Sequence, residues 1–464
     1  MKCAAPHIVC AELSVARGLA RCGYCPKSRH EPVCSRTGRD KALLVLPCLA
    51  FSDTREASHL ASAGIFARFE QELDVTTRGP LADALVLDLS RALAGPHAAM
   101  MLGDLGARVI KVESPDRGDE SRSWGPPFVG DDSTDATYYL SCNRNKESVQ
   151  LDLKSTSGQE SLRELIRRAD VLIENFRPGV LDRLGFPPAV LEELNPRLVM
   201  LSVSGFGHDG PDSQRPGYDL IAQGESGLMS LTGPDPDHPT RVGVPIGDLL
   251  AGIYGAFGVV SALHDRTRTG RGSVVRTSLL AALVGAHAFH GTAWTAAGKV
   301  GSGSGNHHPQ IAPYGTFRCA DGIVQVAVGS EGQWHKFAAL LGLDADDERF
   351  ATNSLRLANR SELIAAVEDV LLTRPREFWL TSCNEAGVPA GAVRTIDEVY
   401  EWKQTRSQGL VLEVDHPVVG KIELPGPPLR FENFEGQRLG RTEHTAPPTL
   451  GQHTSAVAEW LEGR

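Results

Sequence analysis

From Leu81 onward, short runs of β-branched and other apolar residues alternate with longer segments whose apolar positions recur at helical spacing. That alternation predicts an α/β fold with parallel strands. Residues 84–89 read as a strand, 95–106 as a helix and 108–113 as a second strand; apolar spacing over 160–169 predicts another helix, followed by strands over 170–175 and 197–204. Together they predict a doubly wound, Rossmann-like sheet, an architecture that binds ligands at the carboxyl ends of its strands, often with phosphates on helix amino termini. Beyond the run Gly301-Ser302-Gly303-Ser304-Gly305-Asn306, flexible by composition, the pattern changes. A hairpin turning at Ala320-Asp321-Gly322 leads into helical patterns near 331–342, 360–373 and 376–386, which predict a second, smaller unit. Strand patterns return at 410–415 and 421–424, before a terminal helix near 453–462.

Composition narrows the classes of function. With 464 residues, 41% of them hydrophobic and 22% charged, the chain is neither disordered nor fibrous. A net charge of -10 argues against a nucleic-acid partner. The longest apolar run, Leu249 to Leu263, falls short of a bilayer span and contains glycines and a tyrosine, so no membrane partner is expected. Cys142, Cys319 and Cys383 are isolated in the body of the chain, as in a reduced, cytoplasmic protein. The other six cysteines precede residue 49. Among them Cys22 and Cys25, with His30 and Cys34, have the types of metal ligands, but the second C-x-x-C of a zinc site is missing, and no metal is assigned. Residues 1–40 partly fit a mitochondrial presequence, with Glu12, Glu31 and Asp40 against it.

Four segments carry candidate chemistry. Asp248 precedes an apolar helical run and reads either as a helix N-cap or as a carboxylate nucleophile, ionised at pH 7 if its pKa is the ordinary 3.9 or so. Tyr218 and Asp219 follow the turn-forming Pro216-Gly217. Asn175, Phe176 and Arg177, with Arg183 beyond, follow a strand and bring two cations to its carboxyl end, where an anion or a solvated loop are equal readings. The glycine-rich run ending in His307-His308 reads as a linker, with a metal reading weakened by the want of a third ligand.

Taken together, these segments resemble the class III CoA-transferase family, of the CaiB/BaiF type, from about Gly79 to Leu461. The motifs are Val86-Leu87-Asp88-Leu89-Ser90, Ala94-Gly95-Pro96, Gly103-Asp104-Leu105-Gly106-Ala107, Val109-Ile110-Lys111-Val112-Glu113, Gly118-Asp119 and Asn143-Arg144-Asn145-Lys146. Glu174 to Gly179, Gly217-Tyr218-Asp219, Gly247-Asp248, Thr269-Gly270-Arg271-Gly272 and Leu450-Gly451-Gln452-His453-Thr454 complete the series.

The resemblance implies an interlocked homodimer whose large domain is built from both ends of the chain. Residues 1–78 would be a disordered extension, 79–285 the first part of the large domain, 286–409 the small domain with its linkers, and 410–464 the returning part. It implies a nucleophile at Asp248, with CoA contacts at Lys154, Asn175, Phe176, Arg177 and Arg183 and the Tyr218-Asp219 pair at the site. No permanently bound cofactor is implied; CoA thioesters and carboxylic acids are the substrates. Ser114 and Leu93 depart from the formyl-CoA transferase pattern, which has arginine and glutamine there. The segments Ser121 to Phe128, Tyr138 to Ser141 and His308 to Tyr314 look closer to succinyl-CoA–glutarate transferases, and suggest a dicarboxylate acceptor clamped by Arg122 or Arg241. The alternatives are an α-methylacyl-CoA racemase, which would need a histidine base where Tyr218 stands, and a non-catalytic CoA-binding protein.

Overall fold

A computed structural model describes residues 79–130 and 135–463; Cys22, Cys25, His30 and Cys34 lie outside the described residues. The chain enters a parallel sheet at β1 (Leu85–Asp88), passes through helix α1 (Ala94–Asp104) and pairs β2 (Arg108–Glu113) beside β1. It continues through β3 (Lys146–Gln150), α2 (Thr156–Arg168), β4 (Val171–Glu174), β5 (Val199–Ser204), α3 (Asp219–Glu225), α4 (Ile246–Thr269) and β6 (Val274–Ser278). The spatial order is β3-β2-β1-β4-β5-β6, every neighbouring pair parallel. Strands β3 and β6 are additions to the elements expected from the sequence.

Alternation along the strands feeds two cores. Val86, Val109, Val171 and Leu201 face α1 and α4, meeting Ala98, Leu102, Ala251 and Val259. Leu87, Ile110, Leu172 and Met200 face the opposite layer, with Leu162, Leu165 and Ile166 of α2. Each such buried aliphatic side chain contributes about 1.5–3 kcal/mol.

Helices α5 (Leu279–Gly285) and α6 (Ala288–Ala297) lead to the smaller unit, an antiparallel sheet of β7 (Tyr314–Cys319), β8 (Gly322–Ala327) and β9 (Ala390–Ala392). Helices α7 (Glu331–Leu341), α8 (Arg360–Leu371) and α9 (Arg376–Ala386) cover it around Trp334, Phe337 and Trp379. The hairpin β10 (Val411–His416) and β11 (Gly420–Pro425) then packs Val414 and Leu424 against Tyr139 and Leu140. Terminal helix α10 (Thr454–Leu461) lays Val457 into the α2 layer.

Two expectations are corrected here. Helix α4, 24 residues long, is by length and composition long enough to cross a bilayer, contrary to the reading of its apolar run. Its inner face is nonetheless built for protein contact: a Cβ on Gly252 would stand 2.8 Å from the Ala94 carbonyl, and one on Gly255 2.8 Å from Leu201. The glycine-rich run is also more than a spacer. Gly305 N–H donates to the Gly233 carbonyl at 2.7 Å, and a Cβ on Gly301 would stand 2.6 Å from His290 Nδ1.

Candidate active site

The sheet order reverses at β1, with β2 and β3 on one side and β4, β5 and β6 on the other, and the loops after β1 and β4 flank that switch point, the place where a doubly wound sheet has its ligand crevice. The two loops are tied across it. The Asn175 side chain accepts from Arg91 N–H at 2.9 Å and donates to the Arg91 carbonyl at 2.7 Å, and the Arg91 guanidinium lies 5.5 Å from the Phe176 ring centre. Below, Glu174 is buried and accepts from Phe176 N–H at 2.9 Å and from the Ser202 hydroxyl. Burial pushes its carboxyl up, an effect its hydrogen bonds only partly offset.

Arg177 and Arg183 are both exposed, and neither forms an ion pair among the described residues. Gly179, at φ +80°, makes the turn between them, and a Cβ there would stand 3.3 Å from the Arg183 guanidinium. Lys154 is exposed in the turn after β3, two strands beyond β1. The structure thus joins Asn175 and Phe176 to Arg91 and leaves three cations, Arg177, Arg183 and Lys154, open to solvent on the carboxyl side of the sheet.

Asp248 occupies the first turn of α4, where the N-cap is Pro245, which offers no side-chain cap. The capping is done instead by Asp219, from the first turn of α3: its Oδ1 accepts from Gly247 N–H at 2.7 Å and from Asp248 N–H at 3.4 Å. Gln223 braces this carboxylate, donating to Asp219 Oδ2 at 2.6 Å while accepting from Val242 N–H at 2.8 Å. The N-cap reading of Asp248 is therefore replaced: a neighbour satisfies the helix donors, and the half-buried Asp248 carboxyl is recorded in no hydrogen bond or ion pair among the described residues. Burial, with a smaller contribution from the nearby Asp219 charge, raises its pKa to about 7. The expectation of an ordinary, fully ionised aspartate is corrected accordingly. Tyr138 stands in the same surroundings; burial, and then the Asp248 charge, push its phenol upward.

Arg122 is not available to a substrate. It is 6% exposed and donates to both Glu113 oxygens, to Asp135 at 2.8 Å, to Tyr139 Oη at 2.6 Å and to the Pro448 carbonyl at 3.1 Å. Arg241 is exposed and, among the described residues, donates to the carbonyls of Val242 and Gly243, at 3.0 and 2.8 Å. Tyr218 is 64% exposed. His307 and His308 pack against Phe317 and Tyr314, with ring centres 5.4 and 5.2 Å apart, and no cluster able to hold a metal occurs among the described residues.

Residues 81–454 match the CoA-transferase family III profile. The chain belongs to that family. It is 39% identical over 386 residues to the succinyl-CoA:glutarate CoA-transferase of Homo sapiens, covering 83% of this chain and 86% of that protein. A succinate–glutarate CoA-transferase of Agrobacterium fabrum is 37% identical over 395 residues, 82% of this chain and 96% of that one. A CaiB/BaiF family protein of Brucella suis superposes with a TM-score of 0.74 at 39% identity, over 83% of this chain and 100% of that structure. This class III CoA-transferase thus has the parallel sheet and smaller antiparallel unit of its solved relatives.

Sequence reasoning missed Arg91 and Tyr138 at this site. The available signal for Arg91 was its place directly after the first strand, where a doubly wound sheet opens its ligand crevice. Tyr138 lay inside a segment read only for substrate preference.

Proposed function

We propose that this enzyme moves CoA from a succinyl-CoA-class donor to a dicarboxylic acid such as glutarate, with Asp248 as the covalent nucleophile. The observation that carries the reading is the Asp248 carboxyl, sheltered yet without a hydrogen-bond or ion-pair partner among the described residues, on the helix that packs against the start of α1. Its carboxylate attacks the donor thioester carbonyl, and collapse of the tetrahedral adduct expels CoA thiolate and leaves a mixed anhydride. The thiolate attacks the aspartyl carbonyl, releasing the donor acid and forming an aspartyl-CoA thioester. The acceptor carboxylate attacks that carbonyl and expels the thiolate again. Attack of thiolate on the acceptor carbonyl of the second anhydride yields acceptor-CoA and restores Asp248. Arg91, Phe176, Arg177 and Arg183 suit a phosphate-bearing cofactor with an apolar arm, since guanidinium binds phosphate bidentately and a ring packs on carbon. The dicarboxylate preference rests on the glutarate enzymes among the relatives, and of the two candidate clamps Arg241, which meets no carboxylate among the described residues, suits a distal carboxylate once Arg122 is committed elsewhere.

The test is a panel of acyl-CoA donors against diacids and monoacids, joined to mass spectrometry of the enzyme after acyl-CoA alone. The expected results are a hydroxylamine-sensitive adduct on Asp248 and a kcat/KM at least about tenfold higher for diacids. Turnover with monoacids alone would remove the dicarboxylate assignment; exchange of the acyl α-proton without CoA transfer would point to a racemase.

The homodimer is part of the same proposal. Helix α4 leaves Tyr254 and Phe257 exposed, Phe257 at 71%, and α6 leaves Trp294 exposed, large apolar side chains of the kind that a subunit partner covers. Light scattering should give about twice the 49.8 kDa of the chain, persisting on dilution to nanomolar concentrations as threaded subunits require. A monomer at micromolar concentration would overturn the interlocked arrangement.

A further inference from the structure

The turn between β1 and α1 is gripped along its backbone by side chains of β1 itself and of other strands and loops. Ser90 N–H donates to Asp88 Oδ1 at 3.0 Å, and the Ser90 carbonyl accepts from Lys111 Nζ at 2.9 Å. Asn175 holds both backbone polar groups of Arg91. Ala92 N–H donates to Asp119 Oδ1 at 3.1 Å, and the Ala92 carbonyl faces the Cys142 thiol at 3.6 Å. Within this frame Ala92 has φ +64°, a left-handed conformation that a residue with a Cβ rarely adopts. Such a conformation persists only where the surroundings over-determine it.

Asp119 and Lys111 supply much of that determination. Both are buried, and Asp119 Oδ2 lies 2.8 Å from Lys111 Nζ while its Oδ1 serves Ala92 and Ser121. One ion pair thus fixes the Ser90 carbonyl at one end of the turn and the Ala92 N–H at the other. What the turn carries lies on both sides of the reaction. Arg91 extends beside Phe176 at the crevice, while Leu93 packs with Met100, Cys142, Tyr138 and Leu249, the residue after Asp248.

We propose that Asp119 and Lys111 are positioning residues for CoA transfer: they hold Ala92 left-handed, so that Arg91 meets the acyl-CoA while Leu93 supports the turn bearing Asp248. This inference rests on the reading of the crevice as the CoA site and of Asp248 as nucleophile. A purely structural ion pair would lower stability without favouring one substrate over the other. A positioning pair acts on the donor first, and through the conformation of one residue.

That distinction is open to a rescue experiment in the full-length enzyme. An asparagine at 119 cannot serve Ala92 N–H and Lys111 with equal oxygens. Asp119→Asn should therefore raise the acyl-CoA KM about tenfold while leaving the acceptor KM within about twofold. Adding Ala92→Gly, which reaches φ +64° without a Cβ clash, should bring the donor KM back to within about threefold of that of Ala92→Gly alone, while the lowered Tm of Asp119→Asn remains. Ala92→Val, with the ion pair intact, should raise the donor KM on its own and keeps the test open if Asp119→Asn does not fold. An unchanged donor KM in Ala92→Val, or glycine failing to rescue Asp119→Asn, overturns the positioning role. Adduct formation at Asp248 is followed in parallel: its absence from the unaltered enzyme overturns the nucleophile reading, whereas a normal adduct with an unrescued KM overturns the positioning role alone.

Discussion

Asp248→Asn should lower kcat/KM for CoA transfer by at least about 10⁴-fold, since removing a covalent nucleophile typically costs that much or more. It should also abolish the hydroxylamine-sensitive adduct. The same variant should be more stable than the parent, and the sign follows from the raised pKa. Folding carries the carboxyl from an ordinary 3.8 to about 7, so the folded protein binds the proton more tightly than the unfolded chain, and stability falls as pH rises through that window. Asparagine removes the penalty. The gain in Tm, about 2–6 °C at pH 8, should shrink toward zero near pH 4. In the parent enzyme, the rate of adduct formation should rise with pH through about 7 as the carboxyl ionises. Retained turnover in Asp248→Asn, or a Tm gain independent of pH, would refute this account.

Arg122→Met should produce the largest loss of stability, about 3–5 kcal/mol, because removing one partner of a buried ion pair strands the other. Burial by itself would raise the Glu113 carboxyl; the Arg122 hydrogen bonds, followed by the Lys111 charge, bring it below its ordinary value instead. Stability from such a depressed carboxylate is full above its unfolded pKa and disappears as pH falls through the folded one. The deficit of Arg122→Met should accordingly be widest at neutral pH and narrow in acid. Thermal melts of about 5–10 °C lower midpoint, with the acceptor KM within about twofold in the protein that folds, are the expected result. A tenfold rise in diacid KM with an unchanged melt would return Arg122 to the role of substrate clamp.

The fold was legible where one periodicity ran without interruption. Strand β2 fell on its expected bounds, and the helices of the smaller unit within about two residues, because apolar spacing alone decides which face is buried. Strand β3 escaped because its inward positions include Lys146 and Ser148, buried by pairing with Asp88 and Glu113 rather than by being apolar. In the site, Asn175, Phe176 and Asp248 were recognisable as parts of motifs. The relations that define their work were not: Asp219 caps a helix that begins 27 residues further on, and Arg91 meets a residue 84 positions away. An arginine beside a first strand has no chemical signature until the neighbouring strand is known. Arg122 failed as a clamp for the same reason, since its Pro448 partner lies 326 residues distant.

The return of residues 445–454 to β3 has a consequence for the order of folding. Asn145 N–H takes the Thr445 carbonyl at 3.1 Å, Ser148 accepts from His453 N–H at 2.9 Å, and Gln150 N–H bonds the Thr454 hydroxyl at 3.1 Å. The edge strand under the charged frame is therefore completed by residues about 300 positions further along the chain. A chain that pairs β1, β2 and β4 first holds an unfinished β3 edge, and a buried Arg122 short of its Pro448 acceptor, until that distant segment docks, so closing the sheet edge and completing the charged frame are one folding step.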